Sequence, residues 1–207
     1  MARTKSDEKR REIVRVASLA FQELGYERTS MLTIAERLRG SKQTLYNYFP
    51  SKEDLLRAVL DFDVGDVADQ AMETFLAAPD LQKGLAKLGQ IYLERQLAPL
   101  AIANIRTVST QPAESRIGEE FYRNILCAAW KRIGDAFEAL MEEGKLRRAD
   151  PWLAAMHFKG LILQDLLERY LLGAATTIDQ DEVGAAARQA AEAFLMIYGP
   201  HQSAPEA

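Results

Sequence analysis

Apolar residues recur along the chain at intervals of three and four, the spacing of helices that bury one face. Gly25 follows the first predicted helix, 6–24, as a helix stop. The apolar face of that helix comprises Ile13, Ala17, Ala20, Phe21 and Leu24. No segment alternates at period two, which would indicate a strand. The pattern therefore predicts an all-α protein.

Capping and turn residues divide the rest of the chain into further helices. A short second helix follows Ser30, Gly40 ends it, and Ser41 caps a third. Pro50 ends the third helix, and a fourth is predicted over 51–77. The remaining predicted helices are 80–97, 99–109, 114–143, 151–173 and 181–198.

The composition restricts the class of protein. The 207 residues are 48% hydrophobic and 27% charged, as in a well-packed soluble protein. The single cysteine, Cys127, excludes an internal disulfide, and two histidines make a His/Cys metal site improbable. No apolar run reaches the ~20 residues of a membrane span, and the N-terminus lacks a signal sequence. We expect a cytoplasmic protein with no metal, cofactor or catalytic centre.

Charge is distributed unevenly between the two parts of the chain. Residues 1–60 carry 12 Lys and Arg against 8 Asp and Glu, whereas residues 61–207 carry 14 against 22. Such a basic segment on an acidic body favours contact of that segment alone with a polyanion. Chance variation in surface charge is the alternative.

Two short helices joined by a tight turn, with a third helix behind them, form a helix-turn-helix unit. In such units the second helix enters the major groove of DNA. Lys42 and Gln43 lie early in that helix, where lysine and glutamine read guanine and adenine. Side chains suited to phosphates are those of Thr44, Tyr46, Tyr48 and Lys52. The alternative is that the aromatic residues only form core.

Residues 10–60 resemble the N-terminal signature of the tetracycline-repressor (TetR) family of bacterial transcription regulators. The resemblance lies in Ala20-Phe21, Gly25-Tyr26, Thr29-Ser30, Ile34-Ala35, Ser41, Thr44 to Phe49 and Ser51 to Leu56. It implies a homodimer with an N-terminal three-helix DNA-binding domain and a larger helical-bundle domain for ligand binding and dimerisation. The corresponding expected divisions are 1–50, a connecting helix 51–77, and 78–207.

The resemblance also assigns expected DNA contacts residue by residue. Thr29, Thr44, Tyr46 and Lys52 match positions that usually contact phosphates, and Lys42, Gln43 and Tyr48 match positions near the bases. Ser41, at the start of the third helix, and Arg39 complete the predicted DNA-binding set.

The turn departs from the family pattern. Where Ala-Gly-Val-Ser is usual, this chain has Leu38-Arg39-Gly40-Ser41. Either Arg39 accepts a left-handed conformation, or the second helix runs one residue longer and stops at Gly40. We predict the second, because glycine adopts positive φ at little cost. Arg39 would then be free to reach a phosphate.

The C-terminal part offers candidates for dimerisation and ligand binding. Helices 151–173 and 181–198 are the predicted homodimer interface, through a set of small and apolar residues: Leu153, Ala154, Ala155, Leu161, Ile162, Ala185, Ala186, Ala187, Ala190, Ala191, Ala193, Phe194 and Leu195. Helix propensity alone would also explain the alanines. Candidate ligand contacts are Asn104, Arg106, Tyr122, Trp130, His157 and Gln164, with Cys127 as a further candidate. The many apolar residues of this part favour a small hydrophobic effector.

The sequence thus predicts a repressor that binds a palindromic double-stranded operator and is released by a small apolar ligand. Two alternatives stay open. One is a DNA-binding regulator gated by a protein partner, and the other is an all-helical enzyme.

Overall fold

The computed structural model describes residues 5–62 and 65–200, and every regular element within these ranges is helical. The all-α prediction is confirmed. The α-helices are α1 Lys5–Leu24, α2 Met31–Arg37, α3 Lys42–Tyr48, α4 Lys52–Phe62, α5 Gly65–Leu76, α6 Leu81–Gln96, α7 Pro99–Ser109, α8 Ile117–Glu120, α9 Ala128–Glu142, α10 Pro151–Leu163, α11 Leu166–Leu171 and α12 Gln180–Tyr198. A 3₁₀ turn, Ala113–Ser115, and a π-helix, Phe121–Cys127, flank α8.

The chain forms two compact units, each built from two segments. Unit 1 comprises Met1–Asp66 and Pro99–Ile125, and unit 2 comprises Val67–Ala98 and Leu126–Ala207. The predicted connecting helix 51–77 corresponds to α4 and α5. Its continuity across residues 63 and 64 lies outside the described residues, so its role as one rigid connector stays a prediction.

The core of unit 1 gathers the buried faces of α1 to α4. Ile13 and Ala17 of α1 and Leu55 of α4 have no exposed surface. The core also includes Ile117 of α8, which is 1% exposed, so the segment after α7 completes the packing of the helix-turn-helix helices. Gly25 has φ 82°, which confirms the predicted stop after α1.

The prediction for the turn between α2 and α3 is wrong. Arg39 itself is left-handed, with φ 49°, whereas Gly40 does not have positive φ. The amide of Arg39 donates to the Glu36 carbonyl (3.0 Å) and that of Gly40 to the Ala35 carbonyl (3.2 Å). These two bonds form a Schellman motif that closes α2 one residue earlier than expected. The hydrogen bonds that this motif gives to the Glu36 and Ala35 carbonyls outweigh a conformational cost of about 1–2 kcal/mol for the left-handed Arg39.

Two long predicted helices are interrupted. The segment 114–143 contains left-handed Arg116, φ 58°, and then α8, the π-helix and α9. The segment 151–173 breaks after α10 at Gln164, which has φ 45° and ψ −128°. Nothing in the local sequence signals this second break, because Ile162, Leu166 and Tyr170 continue the buried helical spacing across it.

Unit 2 packs α12 closely against α6. A Cβ on Gly89 of α6 would lie 3.5 Å from the Ala187 Cβ and 3.4 Å from Ile162. The predicted assignment of small and apolar residues to a dimer interface is therefore wrong for most of them, since eight of the thirteen are buried within the subunit. These are Ala154, Ala155, Ile162, Ala186, Ala187, Ala190, Ala191 and Phe194. The small volume of the six alanines among them serves helix packing inside one chain.

An aromatic network fills the centre of the unit 2 core. Phe137 lies 4.9 Å from Phe194 and 5.9 Å from Phe158 between ring centroids. Phe194 in turn stacks on Tyr198 at 4.8 Å. All four rings are at most 3% exposed, so they form a continuous buried layer that joins α9, α10 and α12.

Tyr26 provides a test of the unit 1 core. Its side chain is 7% exposed, and its hydroxyl has no hydrogen-bond partner among the described residues. Burial, followed by the nearby carboxylates of Glu53 and Glu27, raises the pKa of Tyr26 from 10.0 to about 12. Tyr26→Phe removes the unsatisfied hydroxyl, so it should raise the free energy of unfolding at pH 7 by about 1 kcal/mol.

The same variant makes a pH-dependent prediction. Above pH ~10 the tyrosine ionises in the unfolded chain before it ionises in the fold, so the wild type loses stability as pH rises. In urea unfolding, the free energy of unfolding of Tyr26→Phe minus that of the wild type should grow by about 1.3 kcal/mol between pH 9 and 11. Tyr46→Phe, at a 37% exposed tyrosine, is the control. An advantage of Tyr26→Phe that does not change with pH would contradict this account.

Candidate nucleic-acid interface

Serine caps define the starts of both motif helices. The Ser30 Oγ accepts from the Thr33 amide, and the Ser41 Oγ accepts from the Thr44 amide, both at 3.0 Å. Each serine has the extended backbone typical of a helix N-cap. Since α3 has only seven residues, its first turn depends on this cap.

The inner side of α3 is anchored in the unit 1 core. Leu45 is 1% exposed and Phe49, directly after the helix, is 2% exposed. The Arg10 guanidinium of α1 lies 5.1 Å from the centre of the Phe49 ring. Tyr48 is half-buried and packs against the same core, so only part of this predicted DNA-binding residue faces solvent.

The opposite side of α3 is exposed and polar. We call Lys42, Gln43, Tyr46 and Asn47 the outer face of α3; all four are exposed. The Lys42 Nζ lies 5.6 Å from the Tyr46 ring centre, and the Gln43 Nε2 donates to the Asn47 Oδ1 at 3.1 Å. Both contacts join residues four apart on an exposed surface, so they can be exchanged for contacts with a ligand. Asn47 was missed in the predicted set, although its spacing from Gln43 places it on the same face.

Two hydroxyl groups lie together at the start of α3. The oxygens of Ser41 and Thr44 are 2.8 Å apart and share one hydrogen bond. Whichever hydroxyl donates, the hydrogen of the other remains available. The pair can therefore donate to a phosphate oxygen while it keeps the cap intact.

Thr29 occupies a different position from the one predicted. It is 1% exposed, and its hydroxyl lies 2.8 Å from the Gly25 carbonyl and 3.2 Å from the Ala20 carbonyl. The hydroxyl has one hydrogen, which these two acceptors share. The Thr29 hydroxyl thus fastens the α1–α2 connection to α1, and we leave it out of the proposed DNA contacts.

Lys52 lies at the first position of α4, directly after a serine cap. Ser51 Oγ accepts from the Asp54 amide (3.0 Å) and donates to its carboxylate (2.7 Å). The Lys52 ammonium is 4.0 Å from the centre of the Tyr26 ring and 3.4 Å from the Glu27 carbonyl. The ring holds the cation beside a helix N-terminus, where anions bind favourably.

Arg57 connects α4 to the segment that follows α7. Its Nε donates to the Glu120 carboxylate at 2.6 Å, and an Nη donates to the Ser115 carbonyl at 2.9 Å. The hydrogen bond with Glu120 raises the pKa of Arg57 above its ordinary value. Arg57 lies outside the predicted sites, because its partners are about 60 positions further along the chain.

The predicted ligand residues fall in both units. Asn104, Arg106 and Tyr122 belong to unit 1, where Asn104 is half-buried and the other two are exposed. Trp130, in unit 2, is 2% exposed, and its ring packs edge-on against Tyr92 at 4.9 Å. Burial raises the pKa of Tyr92 to about 12, and a hydrogen bond with Trp130 opposes part of that rise.

The other two unit 2 candidates have separate surroundings. The His157 Nδ1 lies 2.6 Å from the Tyr198 hydroxyl, whereas Gln164 is exposed at the turn after α10. Cys127, the last residue of the π-helix, is a half-buried free thiol. The three unit 2 candidates Trp130, His157 and Gln164 therefore have no common partner among the contacts described.

A groove of about 630 Å³ runs along α6 and α12 of unit 2. Seven of its nine lining residues have polar or charged side chains; the lining is Asp80, Gln82, Lys83, Ala86, Lys87, Gln90, Gly184, Arg188 and Glu192. Ligand sites of proteins are mostly apolar with a few polar groups, so this groove does not fit the predicted hydrophobic effector.

Two other kinds of site are absent from the described residues. Within 5–62 and 65–200, no three His, Cys, Asp or Glu residues are grouped so that they could hold a metal ion. Across those same ranges, no helix has the length and apolar character needed to cross a membrane.

Family models match both parts of the chain. Residues 13–59 match the model of bacterial regulatory proteins of the tetR family. Residues 83–200, more than half of the chain, match the model of the C-terminal domain of AefR-like transcriptional repressors. The N-terminal match contains α2, α3 and the start of α4, which carry the candidate interface.

Individual proteins resemble the chain over most of its length. The HTH-type transcriptional regulator YhgD of Bacillus subtilis, itself uncharacterized, is 24% identical over 154 residues, which cover 72% of this chain and 78% of YhgD. A structure assigned to a TetR-family regulator of Mesorhizobium loti MAFF303099 is 27% identical, with TM-score 0.87 and coverage of 95% of this chain and 100% of that one. The flavonoid-responsive regulator FrrA is 25% identical, with TM-score 0.68 and coverage of 94% and 98%. The chain therefore belongs to the TetR family and is a DNA-binding transcriptional regulator.

Proposed function

We propose that this regulator is a cytoplasmic homodimeric repressor that binds a palindromic operator through α3 and is released by a small apolar ligand. The observation that carries the proposal is the outer face of α3. Four polar side chains project from a helix whose other side is anchored by Leu45 and Phe49. A helix fixed in this way can enter the major groove without losing its own packing.

Base contacts are proposed for the outer face and phosphate contacts for its surroundings. Lys42 donates to guanine, and Gln43 and Asn47, both amides, pair with adenine. Tyr46 contributes its hydroxyl and ring edge. The Ser41–Thr44 hydroxyl pair and the Lys52 ammonium bind phosphates on either side of the groove.

Replacement of Lys42 by alanine tests this interface. Lys42→Ala should weaken binding to an operator selected from a random DNA library by about 5- to 100-fold, because one base-edge contact is lost. Fluorescence anisotropy with labelled operator gives the affinity. Lys87→Ala, at an exposed lysine of α6, is the matched control and should bind like the wild type. Equal affinities for both variants would contradict the assignment of α3 as the reading helix.

Dimerisation is proposed through the outward faces of α10 and α12. TetR-family regulators bind DNA as dimers, and a palindrome needs two recognition helices about 34–36 Å apart. Leu153 and Trp152 of α10 are 50% and 40% exposed, and Met196 and Ile197 of α12 are 86% and 43% exposed. The burial of such apolar side chains against a second copy would supply the association energy.

A charge placed on this apolar surface should separate the subunits. Met196→Glu should convert the dimer to a monomer in light-scattering chromatography and weaken operator binding by at least about 100-fold, since one half-site binds alone. Exposure of 86% in the subunit means that the fold should persist, which circular dichroism checks. Leu76→Glu, at a 66% exposed leucine of α5, is the control and should stay dimeric. A dimeric Met196→Glu would reject this face.

Ligand gating is proposed for the C-terminal part. Support comes from the match to AefR-like repressors and from the similarity to a flavonoid-responsive regulator. Flavonoids are planar and largely apolar, which agrees with the hydrophobic effector expected from the sequence. A flavonoid panel is therefore the first choice of probe.

Coupling between effector and DNA is proposed to pass through Arg57. This arginine of α4 binds both the 3₁₀ turn and α8, and the π-helix and α9 follow directly along the chain. At the other end α4 starts with Lys52, a proposed phosphate contact. A shift of the 113–120 segment would therefore move α4 and change the fit of α3 to the groove.

Arg57→Gln tests this coupling. Ligand-free operator affinity should change less than about threefold, since partly exposed ion pairs contribute only about 0–1 kcal/mol. The affinity loss caused by an active flavonoid, typically 5- to 150-fold for such coupling, should fall below threefold. Arg123→Gln removes a pair with Glu119 four residues away and is the control. An unchanged flavonoid response in Arg57→Gln would contradict the role of Arg57. No response of the wild type to any probe would favour gating by a protein partner.

A further inference from the structure

The turn between α2 and α3 places arginine where glycine would be less strained. Arg39 has φ 49°, a left-handed conformation that L-residues with a side chain adopt at a cost. Gly40, one position later, does not use positive φ. A Cβ on Gly40 would meet only Leu38 atoms, at 3.9 Å. Position 40 therefore requires glycine neither for its backbone conformation nor for lack of space. The order Arg39-Gly40 therefore lowers the free energy of unfolding relative to the reverse order, glycine then arginine.

Among the described contacts, only the two backbone hydrogen bonds of the turn hold Arg39 in the left-handed conformation. The Arg39 side chain is exposed and forms no hydrogen bond or ion pair with any other described residue. Its neighbour Arg37, by contrast, donates to the Glu23 carboxylate at 2.7 Å. Arg116, the other left-handed arginine, bonds the Glu119 carboxylate at 3.2 Å. Strained residues persist where the surroundings or a function hold them. The turn hydrogen bonds would hold a glycine at position 39 equally well, so they do not explain an arginine there.

The position of Arg39 indicates what it binds. In helix-turn-helix units the first helix crosses the DNA backbone and the second lies in the major groove, so the turn between them meets the groove edge. Arg39 lies two residues before Ser41 and three before Lys42. A guanidinium at that point has the fork geometry that matches a phosphate, and it has no internal partner to give up.

We propose that Arg39 is a dedicated phosphate contact and that its left-handed backbone is the conformation in which it reaches the DNA. This inference rests on the proposed function of α3. It assigns to the turn a positioning role in DNA binding, in addition to its role of joining two helices. The left-handed backbone of Arg39 then both raises the affinity for DNA and lowers the stability of the fold.

Two variants test the inference through opposite effects on stability and affinity. Arg39→Gly should raise Tm by about 2–4 °C because glycine relieves the strain. It should also weaken binding by about tenfold and reduce the slope of log affinity against log salt by about one. The exchange variant R39G/G40R keeps the charge and composition but moves the guanidinium by one residue. It should gain stability while it loses the same contact.

The matched control is Gln164→Gly, which replaces a positive-φ residue of unit 2, φ 45°. It should raise Tm without any change in operator affinity or salt slope. Thermal unfolding and anisotropy titrations over a salt series provide all the measurements, on full-length protein with selected operator and with unrelated DNA. Since phosphates carry no sequence information, Arg39→Gly should weaken binding to both DNAs by a similar factor.

Three results would overturn the inference. If Arg39→Gly keeps the wild-type affinity and salt slope, Arg39 makes no phosphate contact. If R39G/G40R keeps the wild-type affinity, the arginine acts only through diffuse charge. A loss confined to the operator would make Arg39 a base contact. Lys42→Ala separates these failures from failure of the proposed function: if Lys42→Ala weakens binding and Arg39→Gly does not, only the role of Arg39 is rejected.

Discussion

The burial of one side of α3 is the constraint on which the DNA-binding unit depends. A helix of seven residues is far shorter than the ~12–15 that an isolated helix needs to be even marginally stable in water. It persists because Leu45 and Phe49 are buried in the core of unit 1 and because Ser41 caps its first turn. The polar side chains of the outer face are consequently held in place by residues that never contact a ligand. Packing and the proposed recognition of DNA are thus divided between the two sides of the same short helix.

The same core extends beyond the motif. Ile117 is buried with residues of α1 to α4, and Arg57 bonds both ends of the segment from Ser115 to Glu120. The helix-turn-helix unit is therefore completed by a part of the chain that lies just before the π-helix. A π-helix is an uncommon conformation that often marks functional sites in longer helices. Its place directly after α8 supports the proposal that an effector acts on α4 through the 113–120 segment.

Small residues have a different role in unit 2 from the one that their composition suggested. Ala187 and Gly89 let α12 and α6 approach closely, and a ring layer that includes Phe137 and Phe194 fills the neighbouring space. Because these residues are buried inside the subunit, a second copy can contact only the residues that remain exposed. That remainder includes Met196 and Leu153, large apolar side chains whose exposure is unfavourable in a lone subunit.

Local sequence determined the helical class, the stop at Gly25, the caps at Ser30 and Ser41, and most of the outer face of α3. Each of these depends on residues within four positions of one another, which is the range over which spacing and capping act. Only the tertiary structure decided the left-handed Arg39, the breaks at Arg116 and Gln164, the inward use of the alanines and the bonds of Arg57. In each of these the outcome depends on backbone closure or on partners distant in the sequence. Helical periodicity shows that a face is buried, but it does not show whether that face meets its own chain or a second copy.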